Sequence, residues 1–171
     1  VTMGTPMKDL IFDMCGGMKP GRTLKAVIPG GSSVPIMTAA ETEDCLLDYE
    51  GVVARGSMLG SAGMIVMDDS TDMVYQIWRL ARFYAHESCA QCTQCREGTA
   101  WTTKILERIL AGKGKASDLD LLLSLSENMT GKTICVLSDS CAAPIVSGIA
   151  KFRSEFDAYL SGARQPALAM A

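Results

Sequence analysis

Cys89, Cys92 and Cys95 lie within seven positions of one another in the segment HESCAQCTQCREG, and no other stretch of the chain concentrates reactive side chains so closely. Structural zinc sites draw on separated pairs, because two knuckles each give two ligands to one tetrahedral ion. Three thiolates this close suit a 4Fe-4S cubane, in which each thiolate binds a different iron. The bacterial ferredoxin run would add a fourth Cys after three intervening residues, but that position is Thr99. The fourth ligand must come from elsewhere, and Cys15, Cys45, Cys135 and Cys141 are the candidates. Cys135 lies in GKTICVLSD, a non-helical apolar stretch between two expected helices, from which a thiolate can turn toward a cluster held by the other inter-helix loop. Cys141, just before Pro144 at the start of the last expected helix, reads as a buried small hydrophobe, and so do Cys15 and Cys45. His86, the single histidine, leaves a mixed Cys and His zinc site as the alternative. Arg96 and Glu97 either tune a cluster through charge and hydrogen bonds or form a charged first helical turn.

The elements that must position these thiols change character along the chain. From Val1 to about Ser70, Gly and Pro mark turns at Gly16-Gly17, Pro20-Gly21, Pro29-Gly30-Gly31 and Gly60 to Gly63. The pieces between them predict a short helix over 7–14, buried strands over 24–28 and 64–67, and a helix over 44–55. Beyond Thr71 the apolar spacing becomes helical: Ile77, Leu80, Ala81 and Tyr84 share a face, as do Trp101, Ile105 and Ile109. Ser117 is placed to cap a helix with Asp118 and Asp120 in its first turn, and Ile145, Ile149, Phe152, Phe156 and Tyr159 line a last one. The reading is α+β: a small domain over 1–70, four helices over 71–160, and a flexible tail over 161–171.

Composition removes several function classes. With 16 Lys+Arg against 19 Asp+Glu and a net charge of -3, the chain has no basic footprint for a nucleic-acid backbone. Its apolar runs are too short to span a membrane. Seven Cys, an odd number with three clustered, fit a reducing compartment and a metal better than a disulfide framework. Gly131-Lys132-Thr133 imitates the end of a phosphate-binding loop, yet Ser126 stands where that loop needs Gly. The glycines of GSMLGSAG have the wrong spacing for a dinucleotide fingerprint, and no acid/base or nucleophile set emerges, so no catalytic residue is assigned.

With those residues in view, the chain resembles the C-terminal part of the flavoprotein subunit of respiratory complex I, the subunit that oxidizes NADH. The resemblance runs from about Val1 to Leu160 through MGTPMKDLIFDMCGG, LKAVIPGGSSVPIM, LGSAGMIVMDD, FYAHESCAQCTQCREGT, ILERILAGKG and GKTICVLSD. Two positions depart from that family, which usually has Gly at Ala90 and Pro at Gln94. The resemblance implies a β-grasp, ubiquitin-like (SLBB-like) domain over 1–70 and a helical bundle holding one 4Fe-4S cluster on Cys89, Cys92, Cys95 and Cys135. It further implies that Val136, following the fourth Cys, approaches the flavin. In the family, NADH reduces FMN, and electrons then pass singly to the cluster and along an iron-sulfur chain toward quinone.

The family's FMN- and NADH-binding residues lie in an N-terminal domain marked by a motif of the form GRGGAGFPTG, which this sequence lacks. The expectation is a piece of a respiratory translocase, cut or split upstream of Val1 and inactive alone. Its expected partners are that flavin domain and other iron-sulfur subunits. It would lie peripherally, without membrane insertion, on the cytoplasmic or mitochondrial-matrix side of a membrane complex. Similar modules serve NAD-reducing hydrogenases and NAD-dependent formate dehydrogenases. A zinc-stapled interaction protein without redox function is the alternative from another class.

Overall fold

The computed structural model describes residues 1–168 and separates into two units, Val1–Thr71 and Asp72–Ala171. In the first unit the apolar run Leu24–Ile28 forms β1, flanked by β2 (Met37–Thr38) and β3 (Ile65–Asp68) in the antiparallel order β2-β1-β3. Val27 pairs with Met37 on one side and with Val66 on the other. The central strand is therefore the most buried, whereas β3, an edge strand, buries only Met67. The expectation of a fully buried strand over 64–67 is corrected accordingly. The short helix expected over 7–14 is a π-helical turn, Asp9–Met14. Helix α1 (Ala39–Thr42) begins with a capping box, in which Thr38 and Glu41 satisfy each other's backbone amides.

The helix expected over 44–55 is shorter: α2 spans Tyr49–Ala54, capped by Asp48, whose carboxylate accepts from Gly51 N–H at 2.6 Å. Residues upstream have other backbone partners. Met7 N–H donates to Cys45 O at 2.8 Å and Leu47 N–H to Thr5 O at 2.9 Å, a strand-like pairing that the helix cannot share. Met7, Ile11, Val27, Met37, Cys45, Leu47, Val52 and Leu59 form the core of this unit. Burial pushes the Cys45 thiol up, as expected of a packing cysteine. Among the glycines of GSMLGSAG, Gly60 serves a close approach of its backbone to that of Gly30. A Cβ on Gly30 would sit 2.5 Å from Met58 O, and one on Gly60 would collide with Gly30 O.

The second unit is helical: α3 (Met73–Glu87), α4 (Thr93–Leu110), α5 (Asp118–Met129), α6 (Leu137–Lys151) and α7 (Arg153–Leu160). Ile77, Leu106, Ile109, Leu110, Leu119, Leu122, Ile145 and Phe156 are sealed between these helices. The last helix of the four expected is two, because the chain bends at Phe152 (φ -124°, ψ 31°). The bend lets Phe156 and Tyr159 stay buried while Glu155 accepts from Met73 N–H at 3.1 Å, at the start of α3. Of the tail expected over 161–171, residues 169–171 lie outside the described residues. Within the described part, Arg164 pairs with Asp72 and Glu155, both at 3.2 Å, and Ala167 N–H donates to Leu110 O at 2.8 Å. Among the described residues no helix is long and apolar enough to cross a membrane.

Ser117 stands at the N-cap of α5 but makes no side-chain cap; the neighboring acid does more. Asp118, 1% exposed, accepts from Arg108 through both carboxylate oxygens, from Nε at 3.1 Å, and from Lys115 N–H at 2.9 Å. Burial alone would raise its pKa, but the Arg108 hydrogen bond, the Lys115 amide and the two positive charges hold it below the ordinary 3.8. A lowered folded-state value means the contribution is full above the unfolded-state value and fades as pH falls through the folded-state one. Asp118→Ala should therefore cost about 3 kcal/mol at pH 7 by urea unfolding, with the gap to the unmodified chain closing below about pH 4. A gap that persisted in acid would count against the pairing.

Candidate metal centre

Helix α3 ends at Glu87, and Ser88 leaves the helix in extended geometry (φ -64°, ψ 124°). Cys89 follows, exposed. The chain then reverses through Ala90, which adopts a left-handed conformation (φ 64°) rare for a residue with a Cβ. Cys92 occupies the N-cap of α4, half-buried, and Cys95 sits one turn in, 7% exposed. These two sulfurs therefore sit at the start of a helix, where unpaired N–H groups and the positive end of the dipole are concentrated. Arg96 straps the turn: its Nη1 donates to Ala90 O and its Nε to Glu97, each at 2.9 Å. Arg96 thus sits in the first turn of α4 and holds the thiol loop through bonds to a carbonyl and a carboxylate, not to a sulfur.

The second loop, between α5 and α6, is folded by its own polar residues. Gly131 N–H donates to Asp139 Oδ1 at 2.9 Å, Thr133 Oγ1 to Cys135 O at 2.8 Å, and Ser138 Oγ to Met129 O at 3.2 Å. Gly131-Lys132-Thr133 is therefore a helix-ending turn, with no phosphate cradle required. The loop meets the first one directly: Ile134 N–H donates to Cys92 Sγ at 3.4 Å, joining residues 42 apart in sequence. Cys135, next in the chain, is exposed between Ile134 (85% exposed) and Val136 (74% exposed).

Of the three remaining cysteines, Cys45 and Cys141 fall where packing puts them. Cys141 is fully buried in α6, and burial together with the nearby charge of Cys95 pushes its thiol up to about 12. Cys45 is a core residue of the other unit, whereas Cys15, expected to be buried, is exposed there because it ends the π-helical turn at the surface. His86 is exposed in the last turn of α3. Among the described residues no three His, Cys, Asp or Glu side chains converge as a single-ion site. The donor set fits a cluster: four reduced thiols on two touching loops, two of them at a helix start and one already receiving a backbone N–H.

Sequence reasoning passed over Ser88, whose Oγ lies 3.3 Å from Cys95 Sγ. Its signal was its position, directly before the first thiol and at a helix end. A cleft of about 280 Å³ between α4 and α5, lined by Gln94, Gly98, Trp101 and Met129 among others, also gave no sequence signal.

Residues 75–159 match the family of the NADH-ubiquinone oxidoreductase-F iron-sulfur binding region. The chain is 47% identical over 156 residues to one of the NADH-quinone oxidoreductase F subunits of Rhizobium meliloti, covering 91% of this chain and 36% of that relative. It is 48% identical over 160 residues to the corresponding F subunit of Streptomyces coelicolor, covering 94% and 35%. The chain thus spans about a third of the length of the curated relatives it matches. Among solved structures, the air-oxidized state of an NAD+-reducing [NiFe]-hydrogenase superposes with a TM-score of 0.80 at 30% identity, over 99% of this chain and 28% of that one.

The left-handed residue in the thiol loop gives a direct test. A Cβ there costs about 1–2 kcal/mol, against the roughly 0.5–1 kcal/mol that Gly loses in entropy. Ala90→Gly should raise stability by up to about 1 kcal/mol and Ala90→Val should lower it, as read by thermal unfolding. A destabilizing Gly would show that the turn takes another conformation.

Proposed function

The chain belongs to the family of NADH-quinone oxidoreductase F subunits, and from that membership we propose that it is the electron-transfer portion of an NADH-oxidizing flavoprotein subunit. The observation that supports the reading is the contact of the two thiol loops, Ile134 N–H to Cys92 Sγ, one residue before Cys135. The ligands assigned are Cys89, Cys92, Cys95 and Cys135. A 4Fe-4S cluster, when bound, supplies a one-electron carrier between a hydride-accepting flavin and single-electron partners.

This chain's residues prepare that carrier's place. The first turn of α4 presents Cys92 and Cys95, the Ile134 amide orients Cys92, and Arg96 keeps the Cys89 loop closed. Exposed Ile134 and Val136 offer an apolar rim around Cys135, suited to excluding water beneath a flavin-bearing segment. On this reading FMN and NADH bind in the part of the family's subunit that this chain does not span, and Val136 faces the flavin. The β-grasp relation of residues 1–70 rests on the same resemblance. The names of the NADH-quinone oxidoreductase relatives support quinone as terminal acceptor, and the proposal extends to a respiratory translocase as host, inactivity of the chain alone, and a peripheral place on the cytoplasmic or matrix side.

A second reading has its own support: the superposition on an NAD+-reducing hydrogenase allows the same module in a hydrogenase diaphorase. The subunits that co-purify with the chain distinguish the two.

Anaerobic reconstitution should give iron and sulfide in the proportion of one 4Fe-4S cluster and an EPR signal on reduction. Bound zinc without that signal would overturn the reading. Cys135→Ser should lose or degrade the centre while Cys141→Ala retains it; the reverse pattern would move the fourth ligand to α6.

A further inference from the structure

Cys95 is the most enclosed of the four proposed ligands, and the protein places one hydroxyl against its sulfur. Ser88 Oγ lies 3.3 Å from Cys95 Sγ and, on its other side, 3.3 Å from Ala90 N. A serine hydroxyl has one proton to give and two lone pairs to accept with. The Ala90 N–H can only donate, so it occupies a lone pair of Ser88 and leaves the hydroxyl proton for the sulfur. A metal-bound thiolate carries no proton and can only accept. Both constraints point the O–H the same way, toward Cys95.

Thr99, one turn along α4, does not compete for this role, because its hydroxyl donates to the carbonyl of Cys95 at 2.7 Å. The geometry points to Ser88 as a positioning residue of the metal centre, whose hydroxyl donates to Cys95 Sγ and raises the potential at which the centre accepts an electron.

The direction follows from charge. Reduction adds negative charge to the cluster and its sulfurs, so a donor to sulfur stabilizes the reduced state more than the oxidized one. The effect is largest where water is scarce, and Cys95 is 7% exposed, whereas exposed Cys89 and Cys135 can take donors from solvent. The Ser88 contact is held in place by the turn around it: Ala90 is fixed from one side by its N–H to Ser88 and from the other by the Arg96 bond to its carbonyl.

The inference rests on the cluster assignment under Proposed function, and the experiment separates the two. The full chain, Ser88→Ala and Ser88→Thr are reconstituted anaerobically in parallel. Iron and sulfide are quantified, and EPR-monitored redox titration gives each midpoint. The expected result is an unchanged cluster content in all three, a midpoint shifted to more negative potential in Ser88→Ala, and restoration toward the original value in Ser88→Thr. An intact cluster with an unmoved midpoint in Ser88→Ala overturns the role of Ser88 and leaves the cluster assignment standing. No cluster in the unmodified chain overturns the cluster assignment first. Should Ser88→Ala fail to hold iron, Ser88→Val and Ser88→Thr, alike in shape and different in the hydroxyl, decide the matter. A lower midpoint or selective cluster loss in Val supports the hydroxyl's role, and equal behavior of the two overturns it.

Discussion

The four-thiol site proposed for this chain needs more than the three thiols of one turn, so a distant loop has to come to the same place. The contact between Ile134 N–H and Cys92 Sγ is where the two loops meet. The order of the helices follows from it: α4 leads away from the first thiol loop, α5 returns, and the α5–α6 loop arrives beside the starting point. Packing of α3 against α4 and α6, and of α5 against both of its neighbors, sets the distance between the loops. The bundle core of Leu106, Leu119, Leu122 and Ile145 is thus what holds the thiol loops together, although none of these residues carries chemistry.

Around the thiols, short polar bonds replace hydrophobic packing. Arg96 closes the first loop onto Ala90, and Thr133, Ser138 and Asp139 fold the second onto the end of α5. Ala90 is held in an unfavorable backbone conformation because both of its backbone polar groups are engaged. Local strain here is offset by the ordered bonds that surround it. At the opposite end of the bundle, Arg164, Asp72, Glu155 and Tyr159 tie the start of α3 to α7, with Tyr159 O–H donating to Asp72 at 2.6 Å.

Much of this was legible in the residues. The C-x-x-C-x-x-C run, Cys135 between two helices, strand 24–28 and the helical spacing beyond residue 71 all reflect local periodicity and cysteine content, which a single sequence displays directly. The failures share a cause: partners far away in sequence. Residues 45–47 are taken from a helix by residues 4–7. The bend at Phe152 leaves the three-and-four spacing of Ile149, Phe152, Phe156 and Tyr159 intact, so periodicity cannot reveal it. Residues 161–168 have little pattern of their own, yet Arg164 and Ala167 find partners on α3, α7 and α4. Ser88 reads as an ordinary helix end until the fold places Cys95 against it.

The unequal burial of the four sulfurs gives the site an inside and an outside. Cys95 backs onto the sealed interior, while Cys89 and Cys135 open to solvent. With the ligands proposed above, iron and oxidants would both reach the centre from that outer side. Building and damage would share one doorway, and a surface that covered Cys89 and Cys135 would act as a shield once the centre was made.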